Sequence, residues 1–191
     1  MTFAITGALA GIEKRFDIVG VIILAGVTAV GGGSVRDVVA GIIPPTALTD
    51  EAQLWLPIVV GAVVFVVHRR LPTGRLLYVF DTLSLGLFTA LGAQRGLQVD
   101  FGFLGTLFAG GVSGVGGGII RDVLSGSVPG VLYRSGDLYA SAAVAGAACT
   151  FLLHDVNTTA ALLVGVAVTV AVRAGSRLAG LQLPVPRDQD P

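Results

Sequence analysis

Two short stretches of this chain each set three consecutive glycines just ahead of an arginine and an aspartate. The first holds Gly31, Gly32, Gly33, Ser34, Arg36 and Asp37; the second holds Gly116, Gly117, Gly118, Arg121 and Asp122. A glycine weakens a helix by roughly 1 kcal/mol relative to alanine, so a triplet invites a break that frees backbone carbonyls and amides. In lipid such groups are tolerated only inside protein or beside water, which points to a water-lined path. A new half-helix is expected to start at Ser34 or Ile119, its amides facing that path, with Ser34 as its cap. The bland reading is close packing, since small residues let membrane helices approach. The arginines need partners, because a charge at the centre of a spanning helix costs about 2.5–3.5 kcal/mol. Neighbours i and i+1 do not face each other on a helix. Arg36 is therefore expected to pair with Asp122, and Arg121 with Asp37. Such pairs either line a pathway or lock two halves of a protein together. Asp81 lies early in another apolar stretch and reads as a helix cap. With it, the embedded charge network has a formal charge of −1.

The elements that carry these groups are set by composition. Hydrophobic residues make up 53% of 191 residues, charged residues only 13%, and mean hydropathy is +0.85. A soluble domain of this size cannot hide so much apolar surface, and disorder is excluded by the same numbers. Twelve Lys and Arg balance twelve Asp and Glu, so the basic face of a nucleic-acid-binding domain is missing. A single cysteine, Cys149, excludes a disulfide framework and a cysteine metal cluster. The composition is that of an all-α, polytopic membrane protein forming a single transmembrane domain over residues 1–191. Continuous rather than alternating apolar runs argue against a β-barrel.

Seven apolar stretches are expected to span: 2–12, 16–43, 54–67, 76–93, 101–124, 138–153 and 158–172, the last continuing to 173. Residues 182–191 read as a polar tail. With seven spans, Lys14, Arg15, Arg69, Arg70, Arg75, Arg134, Arg173, Arg177 and Arg187 fall on one side and only Arg95 on the other. The positive-inside rule puts the rich side in the cytoplasm, the N-terminus outside and the C-terminus inside, in an inner (plasma) membrane. Asp50, Glu51, Asp100 and Asp155 would then make the outer mouth acidic, which concentrates cations.

The two glycine motifs belong to a longer repeat. Residues 30–44 match residues 115–129 at nine of fifteen positions, an offset of 85. The same offset pairs Phe3 with Phe88, Gly7 with Gly92, Phe16 with Phe101, Gly20 with Gly105, Gly26 with Gly111 and Gly61 with Gly146. Repeat one covers 1–70 and repeat two 79–155. Three spans per repeat invert the second copy, so the second and fifth spans, kinked at their triplets, are expected to meet near the midplane. The seventh span stands outside the symmetry.

Other candidates are weaker. His68 and His154 sit at span ends without a partner at metal-ligand spacing. Trp55 reads as an interfacial aromatic. The triplets lack the Lys-Ser/Thr of a phosphate loop, and no catalytic set or cofactor site is evident.

The doubled Gly-Gly-Gly-x-x-Arg-Asp-Val-x-x-Gly, the Phe-x-x-x-Gly-Ala opening and the 3+3+1 plan resemble the prokaryotic trimeric intracellular cation (TRIC) channels over about residues 1–175. The resemblance implies a homotrimer in membrane lipid with one pore per protomer, built from the kinked second and fifth helices and conducting K+ and to some extent Na+. It implies that the kink residues are Gly31–Gly33 and Gly116–Gly118 and that the Arg-Asp pairs are Arg36-Asp37 and Arg121-Asp122. It implies no catalysis and no cofactor. The runner-up is a secondary transporter of glycine or another small amino acid. A third reading, a membrane scaffold without transport, is opposed by the embedded charges.

Overall fold

In a computed structural model, residues 1–70, 72–132, 137–181 and 183 are described. Arg134, Arg187 and the expected tail, except Leu183, lie outside them. Eight α-helices follow in order among the described residues: α1 (Thr2–Glu13), α2 (Ile18–Val39), α3 (Thr46–Thr49), α4 (Glu51–Val67), α5 (Thr73–Gln98), α6 (Phe103–Leu124), α7 (Tyr139–Leu153) and α8 (Thr158–Leu178). Short 3-10 turns fill His68–Arg70 and Gly130–Leu132. Four helices, α2, α5, α6 and α8, are long and apolar enough to cross a membrane; α1, α4 and α7 are shorter apolar helices. Large apolar side chains such as Leu104, Val66 and Leu163 stand exposed on the outside, as lipid-facing residues do.

The chain's self-similarity recurs in its backbone. Helix α2 ends in a Schellman turn: Ile42 N–H donates to Asp37 O, Gly41 N–H donates to Val38 O, and Gly41 has φ +72°. Helix α6 ends identically, with Ser127 donating to Asp122 O, Gly126 to Val123 O, and φ +70° at Gly126. Arg15 and Asp100, 85 positions apart, both take a left-handed φ, 60° and 57°. Starts differ more: Asp17 caps α2 through Gly20 N–H (2.7 Å), whereas Gly102 in the equivalent place has no side chain to do so.

Two expectations are corrected. Helices α2 and α6 run unbroken through their glycine triplets, so no half-helix begins at Ser34 or Ile119. Ser34 sits inside α2 and caps nothing. Asp81 is the ninth residue of α5, whose N-cap position is Pro72, and is not a cap.

The triplets instead serve close packing. A methyl at Gly32 would lie 2.7 Å from Ser113 O and 2.9 Å from Gly117 N; one at Gly117 would lie 2.6 Å from Thr28 O. Thr28 and Ser113 are themselves equivalent at the same offset, so the contact is reciprocal, as at a two-fold axis. The equivalent rings of Phe3 and Phe88 pack beside it, centroids 4.7 Å apart. Gly7 on Leu24 O and Gly92 on Ala109 O repeat one further contact in each half.

Candidate functional site

From the glycine crossing the two Arg-Asp motifs lead into two separate polar cavities that share no lining residue. Val30, Gly33, Arg36 and Asp37 line the first, and their equivalents Val115, Gly118, Arg121 and Asp122 line the second. The first, of about 430 Å³, is completed by Thr46 and Gln53 and by Gln94, Arg95 and Gln98 at the C-terminal end of α5. The second, of about 280 Å³, is completed by Tyr78 and Asp81 near the N-terminal end of α5, by Asp137 and Tyr139, and by Arg173 and Arg177 of α8. Asp81 and Arg95 are separated by about 21 Å along α5 at 1.5 Å per residue.

In the first cavity Arg36 folds onto its neighbour. Its Nη2 lies 2.6 Å and its Nε 3.0 Å from Asp37 Oδ1, while Nη1 donates to Ser113 Oγ on α6 at 3.1 Å. Asp37 Oδ2 accepts from Thr46 N–H (2.9 Å) and Thr46 Oγ1 (2.8 Å), so this buried carboxylate (1% exposed) is satisfied on both oxygens. Arg95 reaches back to Thr46 Oγ1 (3.3 Å) and Gln98 Oε1 (2.9 Å).

In the second cavity Arg121 pairs through Nε with Asp122 Oδ1 (2.8 Å) and through Nη1 with Asp81 Oδ1 (2.6 Å). Asp122 Oδ2 accepts from Gly130 N–H (3.1 Å). Asp81 bridges onward: its Oδ2 lies 2.8 Å from Arg173 Nη1, and Arg173 Nε lies 3.3 Å from Asp137 Oδ2. The Arg173 guanidinium also stacks over the rings of Tyr139 (4.2 Å) and Tyr78 (5.2 Å), with Arg177 over Tyr78 at 3.8 Å. Asp81, Arg121 and Arg173 are at most 6% exposed.

The expected cross-pairs, Arg36 with Asp122 and Arg121 with Asp37, are not formed; each arginine pairs within its own motif. The i, i+1 rule concerns Cβ directions, and a guanidinium several bonds beyond Cβ can still fold back onto the next carboxylate. The embedded network of Arg36, Arg121, Asp37, Asp122 and Asp81 becomes three arginines against three aspartates, because Arg173 joins the set. Sequence reasoning placed Arg173 at the cytoplasmic end of the seventh span, outside the embedded charges, but α8 continues to Leu178. Thr46, Ser113, Asp137 and the two tyrosines were also missed; the repeat marks Ser113 as the partner of Thr28 but gives no sign of its bond to Arg36. The expected acidic mouth is exposed at Asp50, Glu51, Asp100 and Asp155, whereas the first cavity itself holds two arginines to one aspartate.

Comparison with known proteins fits this geometry. A solved TRIC cation channel superposes with a TM-score of 0.87 at 32% identity, over 97% of this chain and 92% of that one. The TRIC trimeric intracellular cation channel orthologue from Rhodobacter sphaeroides does so with a TM-score of 0.87 at 34% identity, over 94% and 93%. The chain belongs to the prokaryotic TRIC channel family. A family model described as "Glycine transporter" matches twice, at residues 1–69 and 78–155. Curated relatives include a UPF0126 membrane protein of Deinococcus radiodurans, 44% identical over 98% of this chain and 88% of the relative, and the inner membrane protein YadS of Escherichia coli, 34% identical over 95% and 89%. This TRIC family member is a multi-pass helical protein of a bacterial membrane, and its solved neighbours are channels rather than enzymes.

Proposed function

We propose that the protein is a monovalent cation channel, conducting K+ and also Na+, with one pore per protomer of a homotrimer in the inner membrane. The pore joins the two cavities through the crossing of α2 and α6, around Gly31–Gly33 and Gly116–Gly118, where the helices would kink to conduct. Seven helices span: α1, α2, α4 to α8, as two inverted three-helix units plus α8. The observation that carries this reading is the pair of cavities lined by equivalent residues at opposite ends of α5, reached by the two motifs that flank the glycine crossing. The positive-inside rule makes the first cavity external and the second cytoplasmic. Likeness to channels that are trimeric in their solved orthologue supports the assembly.

Glycine carriage is the second reading. It is favoured by the excess of Arg36 and Arg95 over Asp37 in the first cavity, which suits a carboxylate, and by the family model's description. Purified protein in planar bilayers with a KCl gradient should give unitary currents reversing toward the K+ potential. Absence of unitary currents, together with saturable uptake of labelled glycine into proteoliposomes, would establish the carrier instead.

A further inference from the structure

The second cavity holds a feature the first lacks: a guanidinium enclosed on four sides. Arg173 is contributed by α8, outside the repeat, and lies between the carboxylates of Asp81 and Asp137 and the ring faces of Tyr139 and Tyr78. Two carboxylates and two aromatic faces are what a binding site for a small delocalised cation is made of. Tyr139 Oη is buried, lacks a hydrogen-bond partner among the described residues, and is turned toward Gly118, where an added methyl would meet it at 2.9 Å.

We infer that Asp81, Asp137, Tyr78 and Tyr139 form a monovalent-cation site of guanidinium class, and that Arg173 is its tethered occupant. The side chain keeps the site filled and the lining neutral among the described residues, with Arg121, Arg173 and Arg177 against Asp81, Asp122 and Asp137. Without it, the lining carries an excess negative charge and a vacant cage, so a free cation takes the place of the side chain. Arg177 lies over the Tyr78 ring at 3.8 Å, and among the described residues the carboxylates of Asp81 and Asp137 are bridged by Arg173.

The binding arm of the test does not need conduction; only the current arm rests on the channel reading. Purified Arg173→Ala and the unaltered protein are compared in thermal unfolding with low-millimolar guanidinium chloride, with urea as the uncharged isostere. Guanidinium, but not urea, should raise the unfolding temperature of Arg173→Ala and leave the unaltered protein unmoved. In bilayers the same variant should pass K+ with roughly tenfold larger current, as expected for a cleft given an excess of one charge, and cytoplasmic guanidinium should block it. Equal guanidinium response in both proteins would overturn the inference, even if the unaltered protein conducts. A silent unaltered protein with guanidinium-selective stabilisation of the variant would sink the channel reading and leave the site standing. Should Arg173→Ala fail to fold, Arg173→Lys keeps the charge but loses the planar fork. Its tethered ammonium still supplies a cation to the cage, so it should fold and respond to guanidinium less than an Arg173→Gln variant, which removes the charge; an Arg173→Gln response identical to that of the unaltered protein overturns the site.

Discussion

The two cavities are built on one sequence motif and differ in what is added to it. Around Asp37 the addition is local: Thr46, nine residues on, satisfies the free carboxylate oxygen. Around Asp122 a local bond from Gly130 N–H does the same, and a remote addition joins it: Asp81 from α5 and Arg173 from α8 extend a single ion pair into a chain running Asp122, Arg121, Asp81, Arg173, Asp137. A duplicated motif thus supplies two equivalent half-sites, and segments without a counterpart decide what each becomes. The N-terminal part of α5, before residue 86, and all of α8 have no image in the first repeat, and both invade the second cavity. One end of the protein is a basin with two arginines to one aspartate; the other is a clasp of alternating paired charges.

The largest effect should come from the clasp. Asp81→Ala removes the carboxylate that Arg121 and Arg173 share, leaving each only its outer partner, Asp122 or Asp137. It is expected to destabilise the protein by about 3–5 kcal/mol, since both buried guanidiniums then lose part of their charge compensation. Thermal unfolding in detergent checks this, and a loss below that of Asp37→Ala would contradict the ranking of the two cavities. Next, Gly32→Leu or Gly117→Leu must push α2 from α6 and should abolish or strongly reduce unitary current. Unchanged current in both would remove the crossing from the path. A double-mutant cycle on Arg36→Ala and Asp37→Ala should show coupling of roughly 0.5–3 kcal/mol, whereas Arg36→Ala with Asp122→Ala should be additive. Coupling in the second cycle instead would restore a bridge between the motifs. The smallest effect belongs to Gly33→Ala, where a methyl lies 3.7 Å from Arg36 Nη2, an ordinary contact. Its stability should stay within about 1 kcal/mol of the unaltered protein, the difference in helix propensity between the two residues; a collapse like that of Gly32→Leu would mean the crossing lies elsewhere.

Much of this was legible in the chain. The offset of 85 anticipates Phe3 against Phe88 and Gly32 against Gly117, because equivalent residues near a two-fold axis must meet. The shared Gly41 and Gly126 anticipate matching helix ends. The glycine breaks were not realised, since tight packing across Gly32 and Gly117 keeps both helices whole where isolated glycine runs would fray. The cross-pairs failed because arginine length defeats a rule drawn from Cβ geometry. The clasp was legible only in part: Asp81 stood among the embedded charges, but its pairing with Arg121 and Arg173 could not be read, because Asp81 and Arg173 have no repeat image and come from helices far apart in sequence.

The central claim is that the two cavities open to opposite faces and meet at the glycine crossing. In a Cys149→Ala background, Gly33→Cys tags the first cavity and Val131→Cys the second. A charged, membrane-impermeant thiol reagent should modify the first only from the outside and the second only from the cytoplasmic side, each reaction reducing K+ current. Reaction of both from the same side, or modification of either without any change in current, would contradict the account.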